Sequence, residues 1–237
     1  MSGAPPGAVA LVGRSLTEFG RMLGWLAPLA ALGVLAPEGL DRALRAAHLR
    51  GPAADAAVIG TWVVLGAFQL TAATSRALSR LRGERPRLHE TLRTAARRLV
   101  PVALASALCA AAVLAGLAVL VAPGVVALAS VAVAPAVAAG ERGGPWRAVV
   151  RSLDLTRGYR GRALAALALL SAIAAIGVAV AGASLSTWND AELVALAGIS
   201  TFHLFASLPA VGTAVVYEAL REAKEAPREA DLARVFG

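Results

Sequence analysis

Residues 99–140 constrain this chain most: 42 consecutive positions carry no acidic or basic side chain. A helix rises about 1.5 Å per residue, so one helix of that length would be about twice as long as a bilayer's hydrocarbon layer is thick. A soluble domain of this size can bury a core without any such run. Pro123-Gly124 interrupts the tract, and that dipeptide is a turn signal. The tract therefore reads as two membrane-crossing helices joined by a tight hairpin. The second is short and kinked at Pro135.

Four further uncharged tracts, 22–37, 56–75, 163–189 and 193–217, hold one crossing each, the first with help from its flanks. The predicted spans are 20–37, 55–76, 99–122, 124–140, 162–187 and 192–217, with 218–237 as a cytoplasmic tail. The fold class is all-α, an integral membrane protein of six transmembrane helices. Charge tests this count. With six spans, the N-terminal segment, the second-to-third and fourth-to-fifth connections and the tail share one side. They hold two, eight, six and four basic residues, twenty together, against Arg42, Arg45 and Arg50 on the other side. Basic residues mark the cytoplasmic side, so both termini are placed in the cytoplasm. A five-span chain would put the two Arg-rich connections on opposite faces and erase the bias. Trp62 and Trp188 at outer helix ends, and Trp25, Trp146, Tyr159 and Tyr217 near inner ends, fit an interfacial aromatic belt.

Composition agrees: 58% of residues are hydrophobic and the mean hydropathy is +0.68, above the usual share for soluble domains. The net charge of +8 is almost all arginine, and Lys224 is the only lysine. These charges lie between apolar tracts and not on one aromatic-bearing soluble face, which argues against nucleic acid as a partner. Cys109 is the only cysteine, so no intramolecular disulfide or thiolate cluster can form; in its apolar tract it reads as a small buried hydrophobe. The N-terminus has no basic region leading an apolar core, so the first span is expected to direct insertion. The richness in Ala and Arg is that of a GC-rich coding bias, and the expected location is a bacterial cytoplasmic (inner) membrane.

The basic connections are patterned. In 86–99, Leu88, Leu92, Ala95, Ala96 and Leu99 recur at helical spacing. In 145–157, Trp146, Val149, Val150 and Leu153 do the same, with Arg147, Arg151 and Asp154 opposite. Each follows a Pro, and Gly158 is a stop signal for the second. Val12, Leu16, Phe19 and Leu23 suggest a third case. Amphipathic helices at the cytoplasmic surface are thus expected before the first, third and fifth spans, giving three units of surface helix plus hairpin.

The run from Pro123-Gly124-Val125-Val126 through Pro135 and Glu141 to Ala148-Val149-Val150-Arg151-Ser152-Leu153-Asp154-Leu155-Thr156-Arg157-Gly158 resembles the glycerophosphoryl diester phosphodiesterase membrane-domain family and its uncharacterised relatives. Gly83-Glu84-Arg85-Pro86 fits as well, and the resemblance is best over 83–170. Leu153 stands where the family has an aromatic residue. The resemblance implies a six-helix membrane fold. It implies no activity, because catalysis in that family resembles that of a separate soluble barrel.

No carboxylate–histidine cluster, phosphate loop or nucleophile elbow is written in the sequence. A non-enzyme without cofactor is therefore expected. Two candidate sites remain. Arg151, Ser152, Thr156 and Arg157 lie at the depth of lipid headgroups, where they could hold a phospholipid phosphate. The competing reading is that the arginines anchor topology and the hydroxyls cap locally; it is favoured, because inner-side arginine needs no other explanation. Gln69 and His203 are polar residues within spans, readable as an intramembrane polar site or proton relay, or as helix-to-helix hydrogen bonding. The expected role is a non-enzymatic membrane protein that organises lipid, anionic phospholipids among its partners, or assists membrane partners. The alternative is a small-solute or lipid transporter with a cavity between the hairpins.

Overall fold

The computed structural model describes residues 5–225. Its elements are helices throughout: α1 (Ala8–Ala46), α2 (Pro52–Leu81), α3 (Leu88–Val119), α4 (Val121–Val131), α5 (Ala134–Gly140), α6 (Pro145–Thr156), α7 (Arg160–Leu185) and α8 (Ala191–Glu225). Six helical segments are long and apolar enough to cross a membrane: α1, α2, α3, the α4–α5 pair taken together, α7 and α8. The six-span architecture stands. Residues 226–237 of the expected tail lie outside the described residues, and its first part, to Glu225, continues α8 as helix.

The hairpin turn falls at Leu120, not at Pro123-Gly124. Leu120 is extended (φ −166°, ψ 158°), and α4 starts at the next residue. Pro123 then sits in the first turn of α4, where the N–H it lacks would have no intrahelical partner. Gly124 has another use. A Cβ on it would lie 2.4 Å from Leu117 Cδ2 and 2.9 Å from the Leu117 backbone nitrogen, and one on Gly116 would lie 2.8 Å from Gly124 Cα. The two glycines let α3 and α4 touch backbone to backbone beside a one-residue turn.

Two of the three expected surface helices are not separate. Residues 8–19 and 88–98 are continuous with the spans that follow them, inside α1 and α3. Only α6 stands alone, because Gly158 at φ 88° turns the chain before α7. No residue after 19 or 98 breaks the helix in that way. On α1, Val12 and Phe19 are buried, but Leu16 and Leu23 are exposed; Leu11, Ser15 and Glu18 join the buried face instead.

The core is concentrated towards one end. Buried positions of α2 run from Gln69 to Leu78, those of α3 from Thr91 to Ala105, and those of α8 from Ser207 to Leu220. In the opposite halves of the same helices Ile59, Val63 and Leu114 are exposed, as are Ile176 and Val180 in α7. The packed end is also the basic end. There Arg162 Nη1 donates to Pro5 O at 3.2 Å, and Lys224 Nζ donates to Asp154 O. Both described termini therefore lie at the same end, as an even number of crossings requires.

Helix ends follow ordinary capping rules. After α2, Gly83 (φ 80°) lets Gly83 N–H reach Arg80 O at 3.0 Å and Glu84 N–H reach Ser79 O at 2.9 Å, the paired bonds of a Schellman cap. After α1 the same pair is made by His48 N–H to Arg45 O (3.1 Å) and Leu49 N–H to Leu44 O (2.9 Å), with His48 at φ 58°.

Candidate functional site

Pro135 has no N–H, so Val131 O loses its helical donor, and α4 ends there while α5 restarts at Ala134. The carbonyls freed at this break are in the protein interior and need new donors. Ser152 Oγ donates to Ser130 O at 2.9 Å, and Thr156 Oγ1 lies 3.1 Å from the same oxygen. Cys109 Sγ reaches Val131 O at 3.6 Å. Both hydroxyl residues are 0% exposed. They cap a broken transmembrane helix from one face of α6 and are not open to a lipid phosphate. Trp146, Val150 and Leu153 are exposed on the other side of α6. Of the expected apolar face only Val149 turns inward.

Arg151 and Arg157 separate. Arg151 pairs with Glu225 and, through Nε, with Glu141 Oε1 at 3.5 Å. Arg157 is exposed. Glu141 sits where α5 ends and joins three other helices: Tyr217 Oη of α8 donates to its Oε1 at 2.8 Å, Arg151 comes from α6, and Arg98 of α3 donates to its main-chain oxygen at 2.7 Å. A second carboxylate, Glu218, is buried; it accepts from Arg82 Nε at 2.6 Å and lies 3.5 Å from Arg221. A third, Glu18 of α1, is buried too and accepts from Arg80 of α2 at 3.0 Å and from Arg21 at 2.8 Å. Burial of Glu18 works against its charge, but the hydrogen bonds from Arg80 and then Arg21 outweigh it and hold the carboxyl below its ordinary value.

Sequence reasoning passed over Glu18, Glu218 and the arginines that meet them, because partners 62 and 136 positions apart leave no local pattern. The available signal was each carboxylate's position on the side rich in arginine, Glu18 one helical turn before the tract 22–37 and Glu218 directly after the tract 193–217.

Gln69 and His203 do meet. Gln69 Nε2 donates to His203 O at 2.8 Å and to Ser207 Oγ at 3.0 Å, tying α2 to α8. The His203 ring stacks on Trp62, with centroids 5.5 Å apart. Gly33 of α1 closes the site, since a Cβ there would lie 3.4 Å from Gln69 Oε1 and 3.9 Å from His203 Nδ1. The cavities of about 300, 330 and 190 Å³ lie elsewhere: the first is at the end away from the basic end, beside Arg42 and Glu192; the second is beside Glu218; the third lies between α2 and α3. None has Gln69 or His203 in its wall.

Six apolar crossings, a basic end and interior polar groups bonded mainly to one another define a multi-pass α-helical membrane protein. No protein-family model, curated protein or solved structure matches this chain.

Proposed function

We propose that this is a non-enzymatic protein of a bacterial cytoplasmic membrane, with both termini in the cytoplasm, that gathers anionic phospholipid around its basic end. The observation that supports this is a division among its arginines. Arg80, Arg82, Arg98 and Arg151 are bound to carboxylates or backbone within the bundle. Arg93, Arg97, Arg142, Arg147, Arg157 and Arg160 are exposed and make no ion pair among the described residues. The first group holds helices together. The second group is available at headgroup depth, beside the exposed Trp146–Val150–Leu153 strip of α6, which suits immersion in the interface.

Each arginine near an anionic leaflet contributes about 1 kcal/mol of attraction, so three together give roughly a hundredfold in affinity. The test is binding of the protein in phosphatidylcholine nanodiscs to added phosphatidylglycerol, at low and high salt. The reading expects salt-sensitive uptake that falls steeply when Arg142, Arg147 and Arg157 become Gln. Uptake unchanged in the triple variant would reject it. The resemblance over 83–170 carries no chemistry of its own into this reading.

A further inference from the structure

One face of α6 has no protein partner among the described residues. Trp146, Val150, Leu153 and Arg157 recur at i, i+4, i+7 and i+11, and all four are exposed. The other side of the helix is taken, with Ala148, Ser152, Leu155 and Thr156 buried. The free face is thus an apolar strip with a cation at its C-terminal end, and Arg157 makes no ion pair among the described residues.

The end of α8 is held against the flank of this strip. Arg151 pairs with Glu225, and Lys224 Nζ donates to Asp154 O. Asp154 is the neighbour of Leu153, so the chain passes into residues 226–237 beside the strip.

The sequence of those twelve residues complements it. Pro227 lacks the N–H that would extend α8, so the sequence lets the chain leave that axis there. Glu229, Leu232 and Phe236 follow at i, i+3 and i+7, with Val235 next to Phe236. One carboxylate leading three apolar side chains matches the strip read backwards, from Arg157 through Leu153 and Val150 to Trp146. Length is sufficient: the strip runs about 16 Å along α6, and twelve residues cover about 18 Å even at the helical rise.

We propose that residues 226–237 dock on the exposed face of α6 in the same chain, antiparallel to it. Glu229 meets Arg157, Leu232 meets Leu153, and Val235 and Phe236 cover Val150 and Trp146. The contact itself needs no lipid. Its consequence rests on the lipid reading above: the docked segment covers the strip and Arg157, competes with anionic phospholipid, and acts as an intramolecular brake on lipid uptake.

The test uses the full chain with Cys109→Ala, so that introduced thiols are the only ones present. Val150→Cys with Val235→Cys, oxidised mildly in phosphatidylcholine nanodiscs, is expected to give an intramolecular disulfide. Arg14→Cys with Val235→Cys, the first of them exposed on α1, is the control and should not. Adding Leu232→Ser and Phe236→Ser to the first pair should cut the yield about tenfold, since two apolar side chains lose their burial. A yield no higher than the control, or disulfide-linked dimers alone, which would put a second copy on the strip, overturns the docking. In phosphatidylglycerol-containing discs, Glu229→Gln with Phe236→Ser should raise lipid affinity about fivefold, the effect of one arginine released to an anionic leaflet. Unchanged affinity overturns the brake, provided that Arg142, Arg147 and Arg157 replaced together by Gln still strip lipid. If that triple variant keeps its lipid, the lipid reading is what has failed, and the disulfide alone decides the docking.

Discussion

Ser152 Oγ stands 2.9 Å from Ser130 O and donates its proton there, across 22 positions of sequence. That bond makes α6 part of the fourth crossing, because it supplies the donor that the break before Pro135 takes away. Thr156 Oγ1 is within reach of three acceptors, Ser152 O (2.9 Å), Ser130 O (3.1 Å) and Leu153 O (3.3 Å), with only one proton to give. Ser152 is therefore the main donor and Thr156 the reserve. Ser152→Ala is expected to cost about 1 kcal/mol, since Thr156 can turn to the carbonyl. Ser152→Ala with Thr156→Val leaves a buried acceptor bare and should cost about 2–3 kcal/mol. Denaturant unfolding in micelles measures both, and a double variant no worse than the single would refute the reserve.

The hairpin at Leu120 depends on the close approach of Gly116 and Gly124. Gly124→Ala meets the Leu117 backbone as well as its side chain, and Gly116→Ala meets the Gly124 backbone. Neither obstacle can rotate away, so each substitution is expected to cost about 1–3 kcal/mol. Gly212→Ala is the contrast. Its nearest obstacle, at 2.4 Å, is Leu170 Cδ1, the tip of a flexible side chain. It should cost less than either hairpin variant in the same melts, and equal losses would argue against backbone contact.

Glu18 gives the fold a pH dependence with a definite sign. Its carboxyl is held below its ordinary value of 4.5 in the folded chain. The stability it contributes is thus fully present above pH 4.5 and is lost as pH falls through the lowered folded value. Arg80 is about one-third exposed, which screens the pair, so Glu18→Gln should cost about 1–2 kcal/mol at pH 7. The gap between wild type and variant should be constant above pH 4.5 and narrow as pH falls below it. A gap that stays constant below that pH in pH-stepped melts would place the stabilisation elsewhere.

His48 occupies the left-handed position of the α1 cap, where residues with a Cβ are strained by about 1–2 kcal/mol. His48→Gly keeps both cap bonds and is expected to raise stability by about 1 kcal/mol. A loss of stability in thermal unfolding would mean that the imidazole makes a contact outweighing that strain.

What could be read from the sequence, and what could not, divides by the range of the interaction. Tract length and the side on which arginines fall are local, and they suffice for six crossings. Gly158 ends α6 by its own conformational freedom, and that too is local. The position of the hairpin turn is not: Pro123-Gly124 looks like a turn until Gly124 is seen against Leu117, when the turn moves to Leu120. The candidate site fared similarly. Arg151, Ser152, Thr156 and Arg157 were legible as a group, but hydroxyls and arginines bind phosphates and carbonyls with the same atoms. Only the position of Ser130 O against α6 assigns Ser152 and Thr156 to the backbone, and only Glu141 and Glu225 assign Arg151 to the bundle.

We propose that the basic end contains two populations of arginine, one holding helices and one holding anionic lipid. The most direct measurement pairs two variants in phosphatidylglycerol-containing nanodiscs, with lipid counted by native mass spectrometry and stability followed by thermal melting. Arg151→Gln should lower the melting temperature and leave the lipid count unchanged. Arg142, Arg147 and Arg157 replaced together by Gln should strip lipid and leave the melting temperature unchanged. A triple variant that keeps its lipid, or an Arg151 variant that loses lipid without losing stability, would contradict the claim.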